Sequence, residues 1–424
     1  MGLLSQIFQD WAGWALVLVT FYLPFYFRNF LGSRALLYTV WFVLFLHHSV
    51  AIINAYTATI IENILKISDS IGYHQAAVLI AAGEKGWLSG LGDRAYTNAL
   101  AFMYKIFGPS RFFGEELSIL AFLLSCFLLI RLIRQAGIAR YELLILLVFG
   151  SLPSALIFSS LTMRESWMTL FFIASVLCGI QFYKTGKIYY SVYLLFSTLL
   201  MALLHRGFFI YGIFLILTVF IWAIYFHFNS IMEGARKFST RNIIYGAIII
   251  IMVGATAGIY FAPALLKIPT GEALLAIKNG EVLKYIEQYR NDVISRGARS
   301  SYGINLDSSS LPRFLYSSFK IFSFYMTMPL PWQVFNAKDL YAAFESILRL
   351  IFIIGAFFAL RRPNGAARGE FVLLLVLYFS MALLWSMGTE NYGTSIRHHT
   401  VNFWIIILLG LPGLIGLIKR ERSE

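Results

Sequence analysis

Long apolar runs alternate with short polar stretches along almost the whole chain. Most of these runs approach the ~20 residues that an α-helix needs to cross the hydrocarbon core of a bilayer. The runs are continuously apolar, which differs from the short alternating segments of a membrane β-barrel. The pattern therefore predicts about eleven transmembrane helices. Their predicted bounds are 11–27, 35–55, 117–132, 141–163, 166–183, 188–204, 207–226, 243–261, 340–360, 371–385 and 401–418.

Composition supports an all-α polytopic membrane protein with one transmembrane domain over residues 1–424. The chain is 59% hydrophobic and 17% aromatic, and only 13% of its residues are charged. A soluble domain of this length would carry about 25% charged residues. The first apolar run starts near Trp11 without a basic flank before it. We therefore expect a retained helix there and not a cleaved signal peptide.

The basic residues fall mostly into short loops between alternate apolar runs, and these loops predict the orientation of the chain. Such loops lie on the cytoplasmic side of a membrane, so we expect the N-terminus outside and the C-terminus in the cytoplasm. The same distribution accounts for the net charge of +13 without a nucleic-acid partner. The six clusters are Arg28 with Arg34; Arg131, Arg134 and Arg140; Lys184 with Lys187; Arg236, Lys237 and Arg241; Arg361, Arg362 and Arg368; and Lys419, Arg420 and Arg422.

Two large loops, 57–116 and 263–339, are expected on the outer side. Within the second loop, the stretch 314–332 reads FLYSSFKIFSFYMTMPLPW and is semi-apolar. Counting it as a full span would move the next basic loop to the outside. We therefore predict a re-entrant or interfacial helix that ends before Pro329 and Pro331.

Several ionisable residues are expected together at the outer membrane boundary. Two of the outer turns, TMRESW and LLHRGFF, are too short to form real loops, so their charges must lie at the boundary itself. Arginine and histidine donors in a covered pocket would suit an anionic group such as a phosphate. A carboxylate in the same pocket would suit a general base. The residues concerned are Asp69, Arg164, Glu165, His205, Arg206, Arg397, His398 and His399.

Motifs for metal or nucleotide chemistry are missing from the sequence. His398 and His399 are adjacent and therefore diverge on a helix, whereas a zinc pair usually has i, i+3 or i+4 spacing. No phosphate-binding glycine loop, nucleophile elbow or H-E-x-x-H motif occurs. Cys126 and Cys178 lie inside apolar runs and predict no disulfide. We predict no cofactor and do not favour a divalent metal.

Four parts of the sequence carry a resemblance to known families. The segment DSIGYHQAAVLIAAGEKGWLSGLGDRAYTNALAFMYKIFGPSRFFGEELSILAFLLSCFLLIRL resembles the first outer loop of C-superfamily (GT-C) membrane glycosyltransferases. Tyr104, Phe107 and Gly108 match the turn of that loop, and its carboxylate falls on Asp69. Metal-dependent members carry two acidic residues there, whereas SDS holds one. LPSALIFSSLTMRESW, MPLPW and NYGTSIRHH are similar to bacterial polysaccharide polymerases of the Wzy or EpsG type.

The resemblance implies a GT-C-like fold and a polyprenyl-phosphate- or pyrophosphate-linked sugar donor. The implied activity is transfer or polymerisation of these sugars onto a glycan acceptor, outside the bacterial cytoplasmic membrane, in surface or exopolysaccharide synthesis. A chain-length regulator or other membrane proteins of polysaccharide synthesis are implied partners. Asp69 and Glu165 are candidate bases, although Glu165 is equally suited to orient an arginine. The phosphate-binding candidates are Arg164, His205, Arg206, Arg397, His398 and His399. Tyr73, Trp87 and Trp332 are candidates for stacking on sugars or for an interfacial aromatic belt.

Three other functional classes fit a polytopic protein. A flippase or transporter of lipid-linked oligosaccharides usually carries charge along a central cavity and has repeated halves. Here the ionisable residues crowd one side, and no internal repeat is visible. A membrane acyltransferase would need a histidine in the middle of the membrane, whereas the histidines here mostly lie near helix ends. An assembly subunit without catalytic activity is the fourth alternative.

Overall fold

The computed structural model describes residues 9–421 with gaps at 58, 66, 91, 206, 233–280, 295–299 and 362–364. The described part is predominantly helical and contains no strand, apart from an isolated antiparallel bridge between Ser301 and Asn391. Its α-helices are α1 (Trp11–Tyr26), α2 (Arg28–Leu31), α3 (Arg34–Tyr56), α4 (Ile60–Leu65), α5 (Ser68–Ala81), α6 (Asp93–Phe107), α7 (Arg111–Gln135), α8 (Glu142–Ser151), α9 (Pro153–Ser159), α10 (Glu165–Thr185), α11 (Ile188–Leu204), α12 (Gly207–Met232), α13 (Val282–Ile294), α14 (Leu311–Thr327), α15 (Ala337–Ala359), α16 (Gly365–Gly388) and α17 (Tyr392–Glu421). The predicted span 243–261 and Arg206 lie outside the described residues.

Seven helices of the described chain are long and apolar enough to cross a membrane, namely α3, α7, α10, α12, α15, α16 and α17. The bent pair α8–α9 makes an eighth if its two halves form one span. Helices α1 and α11 are apolar but shorter, with 16 and 17 residues. The prediction of an all-α, multi-pass membrane protein is therefore confirmed. The number of eleven spans stays a prediction.

The prediction of a continuous helix over 141–163 is wrong. The chain forms α8 and α9 there, and the two helices are bent by 64° relative to each other. Pro153 begins α9, and Leu152 before it has extended backbone (φ −58°, ψ 133°). Proline has no N–H to donate to the preceding turn, and it disfavours helical backbone at the residue before it. Residues 160–164 are then non-helical and lead directly into α10.

Contacts between helix ends define two ends of the bundle. At the first, which we call the basic end, Arg134 donates from Nη2 to the carbonyl of Leu31 (2.7 Å) and from Nε to Glu142 (2.8 Å). At the same end Lys184 of α10 pairs with Glu370 of α16. At the other, the loop end, Tyr56 at the end of α3 donates to Asp10, just before α1 (2.9 Å). The contacts of Arg134 and Lys184 thus bring two of the six predicted basic clusters to the same end of the bundle.

Helices α15 and α17 form a closely packed pair within the core. A Cβ atom on Gly413 would lie 1.8 Å from the carbonyl oxygen of Gly355, and one on Gly410 would lie 2.4 Å from that of Phe352. The two backbones therefore touch, as is usual where small residues line an interface between membrane helices. On α17, the fully buried Trp404 also packs edge-on against Phe172 of α10, with ring centroids 5.5 Å apart. This packing fixes α17, whose second turn carries Arg397, in the middle of the bundle.

Helix α14 corresponds to the predicted re-entrant or interfacial helix, and it ends at Thr327, before both prolines, as predicted. One face, with Ser317, Ile321 and Tyr325, is buried. The other face exposes Leu315 and Phe319, among other large apolar side chains. A helix with one packed face and one exposed apolar face suits a position at a lipid boundary. Its depth in a membrane stays a prediction.

Candidate functional site

Arg397 lies at the centre of an ion-pair cluster at the loop end. Its Nε donates to Glu165 Oε1, and its Nη1 donates to Asp69 Oδ2. Its Nη2 is 3.4 Å from the hydroxyl of Tyr73, one turn after Asp69. The two carboxylates are 232 and 328 positions away from Arg397 in the sequence. One guanidinium therefore joins the starts of α5, α10 and α17.

The two carboxylates differ sharply in exposure. Glu165, the first residue of α10, exposes 2% of its side chain. Asp69, in the first turn of α5, exposes 52%. Both positions suit a negative charge, because the free N–H groups of a first helical turn carry partial positive charge. Only Asp69, however, remains open to an incoming molecule.

Arg164 immediately precedes Glu165 but has a different partner. Its Nη1 donates to the carbonyl oxygen of Leu204 at the end of α11 (2.9 Å), which has no partner within its own helix. Its Nε is buried without a hydrogen-bond partner, and Arg164 forms no ion pair with any described residue. Arg164 is therefore a partly buried cation whose charge no paired carboxylate neutralises.

Two histidines and a tryptophan lie beside this arginine at the loop end. The ring of His205 stacks on Trp385 (centroids 5.1 Å apart), and the ring of His398 meets Trp385 edge-on at 3.7 Å. His205 Nδ1 accepts from the backbone N–H of Gly207 (3.1 Å), so Nε2 carries the proton when the ring is neutral. His398 Nδ1 is 2.9 Å from the hydroxyl of Thr389. Both rings are thus oriented by neighbouring groups.

The remaining predicted site residues lie elsewhere. His399 is fully buried and its Nε2 bonds to the carbonyl of Tyr325 (3.1 Å), so it faces away from His398, as expected for adjacent residues on a helix. Trp87 and Trp332 are 55% and 75% exposed, and neither contacts the Arg397 cluster. Arg206 lies outside the described residues. The structure brings together Asp69, Tyr73, Arg164, Glu165, His205, Arg397 and His398.

A polar cavity of about 150 Å³ opens beside the Asp69–Arg397 pair. Its walls come from the starts of α5, α15 and α17, from Phe158 in α9, from Met163 just before α10 and from the loop residue Ser300. The loop wall is fixed to the end of α16, because Arg290 donates to the carbonyls of Ser386 (3.0 Å) and Thr389 (3.2 Å). The backbone N–H of Tyr392 also donates to Ser300 (3.2 Å). The cavity is therefore built from segments that hold one another in place.

Sequence reasoning did not single out several of these residues. Trp385 was assigned only to a span, although an aromatic residue at a helix end beside histidines is a usable signal. Lys338, which lines the cavity, follows a long loop whose path the sequence does not indicate, and Asn391 lies in the short turn before α17. The capping pattern of Asn391, whose Oδ1 accepts from the backbone N–H of Thr394 (2.8 Å), was a second available signal.

Among the residues that the structure describes, no three side chains of His, Cys, Asp or Glu are grouped so that they could hold a metal ion. Comparisons with protein-family models, curated proteins and solved structures find no match for this chain.

The contacts around Arg397 predict a large loss of stability when this residue is removed. In Arg397→Ala, Glu165 would remain buried without a cation, and breaking such a pair costs about 3–5 kcal/mol. Glu165→Gln should cost less, since Asp69 still neutralises Arg397. Thermal unfolding in detergent should show this order. Arg313→Ala is the control, because Arg313 and Asp307 form an exposed pair at 4.0 Å and its loss should change little. Equal unfolding temperatures for Arg397→Ala and this control would contradict a supporting role for Arg397.

The helix that carries Asp69 predicts a dependence of local stability on pH. His74 of α5 hydrogen-bonds through Nδ1 to the hydroxyl of Tyr104 on α6 (2.9 Å). Burial, with a smaller effect from Arg111, lowers the pKa of His74 to about 4. Below about pH 6.5, His74 takes up a proton in the unfolded segment but stays neutral in the folded one. The contact between α5 and α6 should therefore weaken as the pH falls from about 6.5 to 4 and then stay constant.

Amide hydrogen exchange of α5 at several pH values measures this effect, after correction for the intrinsic exchange rate. His74→Gln keeps a hydrogen-bonding side chain but does not titrate, so its protection should lack the slope. An identical slope in wild type and His74→Gln would assign the pH dependence to another group.

Proposed function

We propose that this chain is a membrane glycosyltransferase that transfers or polymerises sugars carried on polyprenyl phosphate or pyrophosphate. The observation that supports this best is the joint presence of an exposed carboxylate, Asp69, and an arginine, Arg164, that forms no ion pair with the described part of the chain, around the Arg397 cluster. Burial raises the pKa of Tyr73, and the charges of Arg164 and Arg397 act in the opposite direction, as expected when both arginines lie near its hydroxyl group. Such a combination of base and cation is what glycosyl transfer from a lipid phosphate requires.

The proposed reaction is a displacement at the anomeric carbon. Asp69 takes the proton from a hydroxyl group of the acceptor, and the hydroxyl oxygen forms a bond to the anomeric carbon. The bond between that carbon and the phosphate oxygen breaks, and its electron pair stays on the departing lipid phosphate. A preorganised cation at this phosphate stabilises the charge that develops in the transition state.

The contacts suggest a division of roles among the site residues. Arg164 has an unused Nε donor and binds the departing phosphate, and His205 and His398 assist it. Glu165 is nearly inaccessible and already binds Arg397, so it orients this arginine and does not act as the base. Arg397, neutralised by two carboxylates, positions Asp69. The proposal extends phosphate binding to Arg206, and it includes no metal cofactor.

The two ends of the bundle would face opposite sides of the membrane. The loop end would face outward from the cytoplasmic membrane of a bacterium, in a GT-C-like fold of about eleven spans. The basic end would face the cytoplasm. The polyprenyl donor would enter from the bilayer and the glycan acceptor from the aqueous side, in synthesis of a surface or secreted polysaccharide. Other membrane proteins of that synthesis, such as a chain-length regulator, are proposed partners.

A reconstituted assay tests the proposal. The purified protein in liposomes receives a radiolabelled, polyprenyl-pyrophosphate-linked oligosaccharide without ATP. We expect longer glycans and released polyprenyl pyrophosphate in equal amounts, and activity that persists in EDTA. Label that crosses the bilayer without a new glycosidic bond would instead identify a flippase. Liposomes with Asp69→Asn protein control for contaminating transferases.

A further inference from the structure

The cavity beside Asp69 has room for the six-membered core of one sugar ring, with its substituents toward the open side. Its volume is about 150 Å³, and an apolar cavity of ~150 Å³ in another protein admits benzene, a six-membered ring. The same space would hold about five water molecules. A lipid chain or a complete oligosaccharide does not fit, so only one terminal ring enters.

The lining of the cavity offers both donors and acceptors of hydrogen bonds. Ser68, Ser300 and Thr394 contribute hydroxyl groups, Asn391 contributes an amide, and Asp69 contributes carboxylate oxygens. Lys338 and Arg397 contribute cationic donors, and Arg397 is already bound to Asp69 and Glu165. Sugar hydroxyl groups both donate and accept hydrogen bonds, so they can use every group of this mixed lining. A phosphate oxygen only accepts hydrogen bonds, so it would leave the acceptor oxygens without a donor. The lining therefore suits a polyhydroxyl ring.

The polar groups of this lining are held in place before any ligand binds. Asn391 Oδ1 accepts from the backbone N–H of Thr394, which directs the amide NH₂ to the other side of the group. The backbone bridge between Asn391 and Ser301 holds the adjacent Ser300. Preorganisation of this kind lowers the entropic cost of binding a small polar ligand.

Arg164 does not line the cavity, although its neighbour Met163 does. Its Nη1 is directed to the carbonyl oxygen of Leu204, at the end of α11. We infer that the cavity is the acceptor subsite, which holds the terminal pyranose of the glycan with one hydroxyl group at Asp69. The donor phosphate then lies at Arg164, outside the cavity. This inference rests on the proposed glycosyl transfer and adds to it which substrate enters where.

Steady-state kinetics with separately varied donor and acceptor test the inference. Thr394→Phe fills the cavity and should raise KM for the acceptor by on the order of 100-fold, while KM for the donor changes little. Thr394→Val keeps the volume and removes one hydroxyl, so a rise of about three- to tenfold is expected. Ser68→Phe fills the cavity from another lining residue. It provides an independent test if Thr394→Phe does not fold.

Direct binding gives a second measurement that needs no turnover. Saturation-transfer NMR with methyl glucoside, methyl galactoside and methyl N-acetylglucosaminide should show ring contacts in wild type that Thr394→Phe and Ser68→Phe lose. A rise in donor KM, or unchanged KM values with both filled cavities, would overturn the inference while leaving glycosyl transfer intact. A wild-type protein that forms no glycosidic bond with any donor would overturn the proposed function itself.

Discussion

Replacing Asp69 with asparagine is expected to lower the turnover number by about 10²–10⁴-fold, the usual contribution of a general base. Asparagine keeps the shape of the side chain and can still accept a hydrogen bond from Arg397, but it cannot take a proton from the acceptor. The glycosyl-transfer assay with a saturating donor and acceptor measures the effect. Glu165→Gln should lower turnover less, because Glu165 contacts Arg397 and is nearly inaccessible.

Asp93→Asn is the matched control for this substitution. Asp93 also lies in the first turn of a helix in the same loop, but it is exposed and does not line the cavity. The Asp93→Asn protein should therefore retain wild-type turnover. A larger loss in Glu165→Gln than in Asp69→Asn would reverse the assignment of base and orienting residue.

Replacing Arg164 with alanine is expected to lower turnover by about 10²–10³-fold, the cost of removing one preorganised donor from developing negative charge. Arg164→Lys should recover part of the loss, since lysine restores the charge but not the fixed geometry of the guanidinium. Donors with phosphate and pyrophosphate leaving groups should differ in their sensitivity to the substitution. The better leaving group should be affected less, because it needs less stabilisation.

Arg94→Ala separates this effect from a general loss of positive charge. Arg94 also donates to a loop carbonyl, that of Ser89 (2.8 Å), but its side chain is exposed. We expect normal turnover from this variant. Wild-type turnover in Arg164→Ala would remove Arg164 from the phosphate-binding role and leave His205 and His398 as the candidates.

The sequence predicts most of the architecture, because the membrane imposes strong rules on each segment. Apolar runs locate the helices, and the alternation of basic loops agrees with the contacts of Arg134 and Lys184 at one end. The break at Pro153 was missed, because the apolar run continues through it and the proline could also have been accommodated as a kink. The length of an apolar run indicates how long a membrane span can be, but not whether one continuous helix forms it.

The candidate site was predicted in part. The turn TMRESW is too short to form a loop, and it predicted Arg164 and Glu165 among the clustered charges; their partners are Leu204 and Arg397. The double pairing of Arg397 was not foreseen, since it depends on the close packing of α17 within the bundle. The cavity was not foreseen either, because its walls come from loop ends whose positions only long-range contacts determine.

The three-way contact of Arg397 has a consequence for how the chain matures during synthesis. Arg397 leaves the ribosome 328 residues after Asp69, which at ~5–20 residues per second corresponds to roughly 16–66 s. Until then the two carboxylates are without this counterion, and the helices that begin with them have no common anchor. A nascent chain that has inserted every helix before α17 would therefore be catalytically inactive. Insertion of α17 would complete the site in a single late step.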